Sequence, residues 1–296
     1  MRFQGLSAFP ITPADAQGRV DTAALARLLR RLVAAGVDSV GLLGSTGTYA
    51  YLDRAERRRT VEAAAAELRG AVPLLVSIGA LRTDDAVRLG QDARAAGADA
   101  VLLAPVSYTP LTEDEVFTHV QAVAAGAGLP VVLYNNPSTT HFTFSPGLIA
   151  RLSRVPGVAA VKNPAPDADA VAAELAALRA GAAPGFSIGH SGDWKATEAL
   201  LAGSEAWYSV VGGLFPEPAM RILRAVRAGD AAEARRLHRS LQPLWDLFIA
   251  HSSLRVMYAA ANLLGLTDAQ PPRPILPLAG TAREQVAAVI GALALR

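Results

Sequence analysis

The chain of 296 residues contains no cysteine. Disulfides, thiolate nucleophiles and cysteine-ligated metal centres are therefore excluded. Aromatic residues are sparse, at 6%, and lysine is rarer: Lys162 and Lys195 stand against 26 arginines. Long apolar runs are missing too. The best candidates, such as 122–134, are broken by Gly or Pro and fall short of the roughly 18 residues a membrane span needs. The opening Met1-Arg2-Phe3-Gln4-Gly5 lacks the apolar core of a secretory signal. Charge is nearly balanced, with a formal net of +2. The densest basic cluster, Arg57-Arg58-Arg59, is flanked by Glu56 and Glu62 and has no interleaved aromatics, which fits a solvated helix face rather than a phosphate or nucleic-acid patch. His119, His141, His190, His238 and His251 show no metal-ligand spacing. The expectation is a soluble cytoplasmic protein with no metal, no membrane contact and no nucleic-acid partner.

What the chain has in abundance is Ala, Val and Leu, arranged as short apolar runs separated by helical stretches. The runs lie at 6–11, 39–43, 74–78, 100–103, 131–134, 158–161, 186–188 and 206–211. Helices are expected at 21–35, 53–69, 83–96, 112–125, 145–154, 168–180, 193–202 and 216–228. The first begins at Asp21, well placed to cap, and is apolar at Leu25, Leu28, Leu29 and Leu32. Gly36, Gly97, Gly126, Gly181 and Gly203 follow alanine-rich stretches and read as helix stops. Eight strands alternating with eight helices predict an α/β fold, a (β/α)8 TIM barrel over residues 1–228. A doubly wound open sheet is the rival, but no Gly-x-Gly-x-x-Gly turn follows the first run. Alternation then stops. Helices at 231–250, 252–264 and 281–294 predict a C-terminal three-helix extension, residues 229–296, packed on the barrel.

In such a barrel the chemistry belongs at the C-terminal ends of the strands. Those ends deliver Thr12, Ser45 and Thr46, Ser107 and Tyr108, Tyr134 with Asn135 and Asn136, Lys162 with Asn163, His190 with Ser191 and Asp193, and Gly212 with Gly213. Lys162 can be read as a strand-end lysine that reaches solvent, yet a barrel strand end points into the mouth. A buried amine loses its charge more readily and can attack a carbonyl, forming an imine that serves as an electron sink. Tyr134 is the natural proton shuttle beside it, relayed by the hydroxyls of Ser45 or Thr46 and of Tyr108; its alternative is a strand cap bonded to a neighbouring carbonyl. Gly44-Ser45-Thr46-Gly47 combines small residues and hydroxyls just ahead of a helix, a site for a carboxylate, and is no Walker loop because no lysine follows Gly47. Lys195 reads as a surface residue. Gly189-His190-Ser191-Gly192-Asp193 superficially suggests a hydrolase elbow, but its second glycine falls one place early, and neighbouring strand residues point apart.

Taken in order, Leu6-Ser7-Ala8-Phe9-Pro10-Ile11-Thr12-Pro13, Gly44-Ser45-Thr46-Gly47, Tyr134-Asn135-Asn136-Pro137, Val161-Lys162, Ser191-Gly192-Asp193 and Trp207-Tyr208-Ser209-Val210 resemble the dihydrodipicolinate synthase / N-acetylneuraminate lyase family over essentially the whole length. These are pyruvate-dependent class I aldolases. The resemblance implies that Lys162 forms an imine with pyruvate or a similar 2-keto acid, that Tyr134 donates and accepts the proton with Ser45 in the catalytic relay, and that Thr46, Gly47, Tyr108, Gly192 and Tyr208 help bind substrate. It implies no cofactor beyond the covalent imine, small-molecule partners (a 2-keto acid and an aldehyde), and a homo-oligomer, dimer or tetramer. Four positions depart from the family pattern. Thr48 stands where Glu is usual, Thr139 where dihydrodipicolinate synthases place an arginine, Val106-Ser107 where an aromatic pair is usual, and Asn163-Pro164 where an acidic residue is customary. Threonine offers neither the charge nor the fork of an arginine, so an aldehyde other than that of the strict synthase is expected. A barrel that binds a keto acid without turnover is the non-enzymatic alternative.

Overall fold

A computed structural model describes residues 3–296; the reading of the extreme N-terminus therefore falls partly on Met1 and Arg2, outside the described residues. Eight parallel strands, β1 (Gly5–Ala8), β2 (Ser39–Leu42), β3 (Leu74–Ser77), β4 (Ala100–Leu103), β5 (Val131–Tyr134), β6 (Val158–Pro164), β7 (Ser187–Ser191) and β8 (Ala206–Ser209), close in sequence order into a barrel. Between them run α1 (Thr22–Ala35), α2 (Arg54–Leu68), α3 (Thr83–Ala95), α4 (Glu113–Ala127), a single-turn α5 (Pro137–Thr140), α6 (Pro146–Leu152), α7 (Val171–Gly181) and α8 (Ala196–Leu201), and α9 (Pro216–Arg227) follows β8. This is the (β/α)8 barrel. No helix among the described residues is long and apolar enough to cross a membrane.

Local chemistry accounts for the element ends. The Asp21 carboxylate accepts from the amides of Ala23 and Ala24 and caps α1, which Gly36 closes in the left-handed conformation. One of the expected stops is not a stop, and another ends its helix without the left-handed turn. Gly126 lies inside α4, with its Cα so near Val87 that a Cβ would sit 2.7 Å from Val87 Cγ1; Gly181 is the last residue of α7 and keeps an ordinary φ. Gly126 is thus a packing glycine, and α4 runs on to Gly128. In the Arg57–Arg59 cluster, Arg58 pairs with Glu62 and Arg59 with Glu56. Arg57 turns inward over the Tyr49 ring.

Strand alternation divides the apolar residues into two cores. One lies between strands and helices. The other fills the barrel with Phe9, Leu75, Ala100, Leu102, Val132, Tyr134, Ala160, Ala206 and Tyr208. Its rings fit because the residues opposite are small: a Cβ on Gly41 would lie 2.2 Å from the Phe9 ring, and one on Gly189 would lie 2.6 Å from Tyr208. Overpacking a filled core costs about 1–3 kcal/mol. Gly41→Ala is expected to lower the thermal midpoint accordingly; an unchanged melting curve would show that Phe9 yields freely.

After α9 the chain adds α10 (Ala231–Ser240), α11 (Gln242–His251), α12 (Ser253–Leu263) and α13 (Gly280–Ala292). The single helix expected over 231–250 is therefore two helices, and the extension has four members instead of three. Pro243 is the reason: it has no N–H to give the Arg239 carbonyl, and its ring clashes there, so the chain restarts with Pro243 in a first turn. The extension is tied back to the barrel where the buried Tyr258 hydroxyl donates to the Thr12 carbonyl at 2.9 Å.

Candidate active site

Parallel register sets the centre of the site. Tyr134 on β5 and Lys162 on β6 are direct partners, and Lys162 in turn faces Gly189 on β7, so amine and phenol emerge from neighbouring strands on the inner face. Lys162 is only 3% exposed. Its Nζ lies 4.0 Å from the centroid of the Tyr134 ring, 4.1 Å from that of Phe9 and 5.9 Å from that of Tyr208. Among the described residues no carboxylate forms an ion pair with it. A box of aromatic faces thus holds the amine without neutralising it.

The Tyr134 hydroxyl accepts from Asn136 Nδ2 at 3.0 Å and lies 3.3 Å from Ser45 Oγ. Asn136 Nδ2 also reaches Ser45 Oγ at 3.4 Å and Thr139 Oγ1 at 2.7 Å. A phenol that accepts from an amide can give its own proton to the serine, and Asn136 Nδ2 lies within reach of both hydroxyls. Asn136 was within reach of sequence reasoning as a strand-end polar residue; nothing distinguished it from Asn135, whose side chain instead bonds buried Asn163 and the Phe144 amide. Tyr49 also lines the cavity, and burial pushes its phenol up to about 12.

The mouth is a cavity of about 630 Å³ at the C-terminal ends of the strands. Ser45, Thr46, Tyr134, Lys162, Gly192 and Tyr208 all line it. Gly192 turns the loop after β7 at φ 92°. The buried Tyr208 hydroxyl has no partner among the described residues, and desolvation raises its pKa. A second cavity, about 690 Å³, opens at the N-terminal strand ends around Phe3, Ala159 and Phe186. Its lining includes neither Lys162 nor Tyr134, which makes the smaller cavity the candidate site.

Two expected residues are not brought in. Tyr108 is 97% exposed and lies outside the cavity. Inward alternation along β4 carries through Ala104 to Val106, which does line the mouth, and the chain then turns where Ser107 Oγ bonds the Thr109 carbonyl. Gly47 is also absent from the lining: a Cβ there would lie 3.0 Å from Gly44 N and Leu43 Cα, so Gly47 closes the turn on itself while Ser45 and Thr46 line the cavity. Lys195, by contrast, lines the cavity and pairs with Asp167 at 2.8 Å, where its sequence context suggests a surface residue.

The elbow-like motif separates as strand geometry requires. His190 points outward, its Nδ1 2.8 Å from Ser204 Oγ. Asp193 turns inward and is fully engaged, accepting from Trp207 Nε1 at 2.8 Å and from the Val211 amide at 2.7 Å. Burial raises its pKa against the pull of these donors and the Lys162 charge. Histidine and aspartate share no serine, and no triad forms. Among the described residues no group of three or more His, Asp or Glu side chains is placed to hold a metal ion.

Comparison with known proteins matches residues 2–293 to the model of the dihydrodipicolinate synthetase family. Curated relatives include the 4-hydroxy-tetrahydrodipicolinate synthases of Methylococcus capsulatus, 33% identical over 93% of each chain, and of Acidiphilium cryptum, 32% identical over 99% of each. Among solved structures, a dihydrodipicolinate synthase from Agrobacterium tumefaciens superposes with a TM-score of 0.96 at 59% identity, covering 99% of this chain and 98% of that one. A chloride-inhibited dihydrodipicolinate synthase from Acinetobacter baumannii, solved in complex with pyruvate, gives 0.90 at 26% identity, covering 99% of this chain and all of that one.

Proposed function

The chain belongs to the dihydrodipicolinate synthetase family, and from that membership we propose that its mouth joins pyruvate, or a similar 2-keto acid, to an aldehyde through an imine on Lys162. It is a lyase of the Schiff-base aldolase type. The observation that carries the residue assignment is the register pairing of Tyr134 with Lys162, which sets the amine 4.0 Å from the phenol ring in one buried box.

The chemistry follows from that box. Lys162 Nζ attacks the keto carbon, a carbinolamine forms, and loss of water leaves a C=N bond. Ser45 and Thr46 hold the carboxylate at the loop after β2. Tyr134 gives its proton to the departing hydroxyl, and its phenolate then takes a proton from the carbon next to the protonated imine, which becomes an enamine. Attack of that carbon on the aldehyde makes the new carbon–carbon bond, and Tyr134, relayed to Ser45, supplies the proton that the alkoxide takes up. Water then releases the product and restores the amine. The imine is itself the electron sink, so the reading calls for no organic cofactor and no metal. We assign this catalytic role to the barrel of residues 1–228, with residues 229–296 as its extension, acting in the cytoplasm as a homo-oligomer (dimer or tetramer). The exposed Tyr108 is then a candidate contact between copies.

The relatives' name favours 4-hydroxy-tetrahydrodipicolinate synthesis as a second reading. Against it, Thr139 occupies the position where an arginine is expected, and its hydroxyl is already bonded to Asn136.

The test is pyruvate consumption against a panel of aldehydes, with Lys162→Ala as blank. Aldehyde-dependent loss of pyruvate in wild type alone supports the reading. Consumption that persists in the variant refutes the assignment of Lys162, and keto-acid binding without any turnover in wild type would point to a binding barrel.

A further inference from the structure

Backbone strain is concentrated around the loop after β2. Gly44-Ser45-Thr46-Gly47 is bracketed by two residues in the left-handed conformation, Leu43 at φ 57° and Thr48 at φ 55°, and neither is a glycine. For a β-branched residue such as Thr48 this is an outlier, and it persists only where its surroundings over-determine it. Both residues are buried, and Thr48 lines the cavity with Ser45 and Thr46. The strain is thus stored beside the side chains assigned to the carboxylate.

What holds Thr48 lies outside the barrel. Burial pushes the Tyr258 phenol up to about 12, against a hydrogen bond from the Thr48 side chain. The phenol gives its own proton to the Thr12 carbonyl at 2.9 Å, so it accepts that of the Thr48 hydroxyl. One oxygen from α12 therefore ties the loop after β2 to the loop after β1. The helix is fit for this, since Val256, Met257, Tyr258, Ala260 and Ala261 are all buried and the phenol moves only if the helix does. It is entered through Ser252, another cavity-lining residue, at φ 69° and ψ 130°, a backbone region that side chains rarely adopt.

We propose that Tyr258 is a positioning residue for the keto acid: it clamps Thr48 in the left-handed conformation and so keeps Ser45 and Thr46 set for the carboxylate. Tyr258 is not part of the cavity lining and acts only through the loop. This inference rests on the carboxylate site proposed above and adds the helix that holds it in shape.

The test is pyruvate affinity by calorimetry, with borohydride labelling of Lys162 in parallel. Tyr258→Phe keeps the ring and removes the clamp. Its affinity for pyruvate is expected to fall about tenfold, equivalent to about 1.4 kcal/mol, because the competent loop becomes a minor population. Labelling at saturating pyruvate still goes to completion. Thr48→Ala loses the hydroxyl, keeps the strain and weakens binding by the same factor. Thr48→Gly loses the same hydroxyl but adopts a positive φ without steric cost, so it keeps the wild-type affinity, and adding Tyr258→Phe to it changes nothing further. A ligand contact made by the hydroxyl would instead place glycine and alanine together. Tyr258→Phe that melts lower yet binds pyruvate as wild type does would overturn the proposal, and so would Thr48→Gly as impaired as Thr48→Ala. The Thr48 pair decides the matter even if the tyrosine variant does not fold. Wild type that binds pyruvate without labelling Lys162 would refute the imine, with the ratios among the variants still deciding the clamp.

Discussion

Replacing Lys162 by alanine is expected to lower aldehyde-dependent pyruvate consumption by on the order of 10⁶-fold, the scale seen when a covalent nucleophile is removed. No neighbour can take its place. The second lysine pairs with Asp167, and the rings of Phe9, Tyr134 and Tyr208 around the lost amine offer no other. Lys162→Arg is expected to be equally inactive, because a guanidinium keeps its proton and makes no imine. Stability separates the two causes of inactivity. Alanine forfeits the packing of the alkyl stem, about 0.8 kcal/mol for each buried CH₂, but also relieves the desolvation of a buried amine. The thermal midpoint should therefore shift by only a few degrees. A variant that is folded and still turns over substrate contradicts the assignment.

Tyr134→Phe is expected to cost about 10² to 10⁴ in kcat, the usual contribution of a positioned acid–base group. The phenylalanine ring keeps its place over Lys162 Nζ, so pyruvate should still label the lysine at nearly unchanged concentration. Loss should therefore appear in kcat and not in the KM for pyruvate. Little stability is at stake, since Asn136 Nδ2 retains Thr139 Oγ1 and Ser45 Oγ as partners. A phenylalanine variant that turns over at the wild-type rate would mean that Ser45 or solvent carries the proton and that Tyr134 is a wall.

The architecture was legible because its signals are periodic and local. Apolar runs recur with helices between them, Asp21 begins a helix and Gly36 ends one, and eight such units close a barrel. Lys162 and Tyr134 stand out as strand-end residues, and the register that pairs them sets both on the inner face. The Pro243 break was also visible in principle: an apolar period alone carries 231–250 as one helix, while the proline inside it ends the ladder. Loop geometry was the harder part. Nothing in the sequence 104–110 reveals that the chain turns outward after Val106, which keeps Tyr108 from reaching the mouth of its own chain. Nor does the string Asp193-Trp194-Lys195 reveal that the turn at Gly192 brings the last of them to the mouth. Gly47 was misplaced for a related reason: a glycine needed for close backbone approach looks, in sequence, like one needed for a ligand.

The most direct measurement is borohydride reduction in the presence of pyruvate, followed by peptide mass spectrometry. With only two lysines in the chain the result is unambiguous. A single reduced-pyruvate adduct on Lys162 is predicted, lost in Lys162→Ala. An unmodified Lys162, or a label found on Lys195 instead, would contradict the placement of the imine in the aromatic box beside Tyr134.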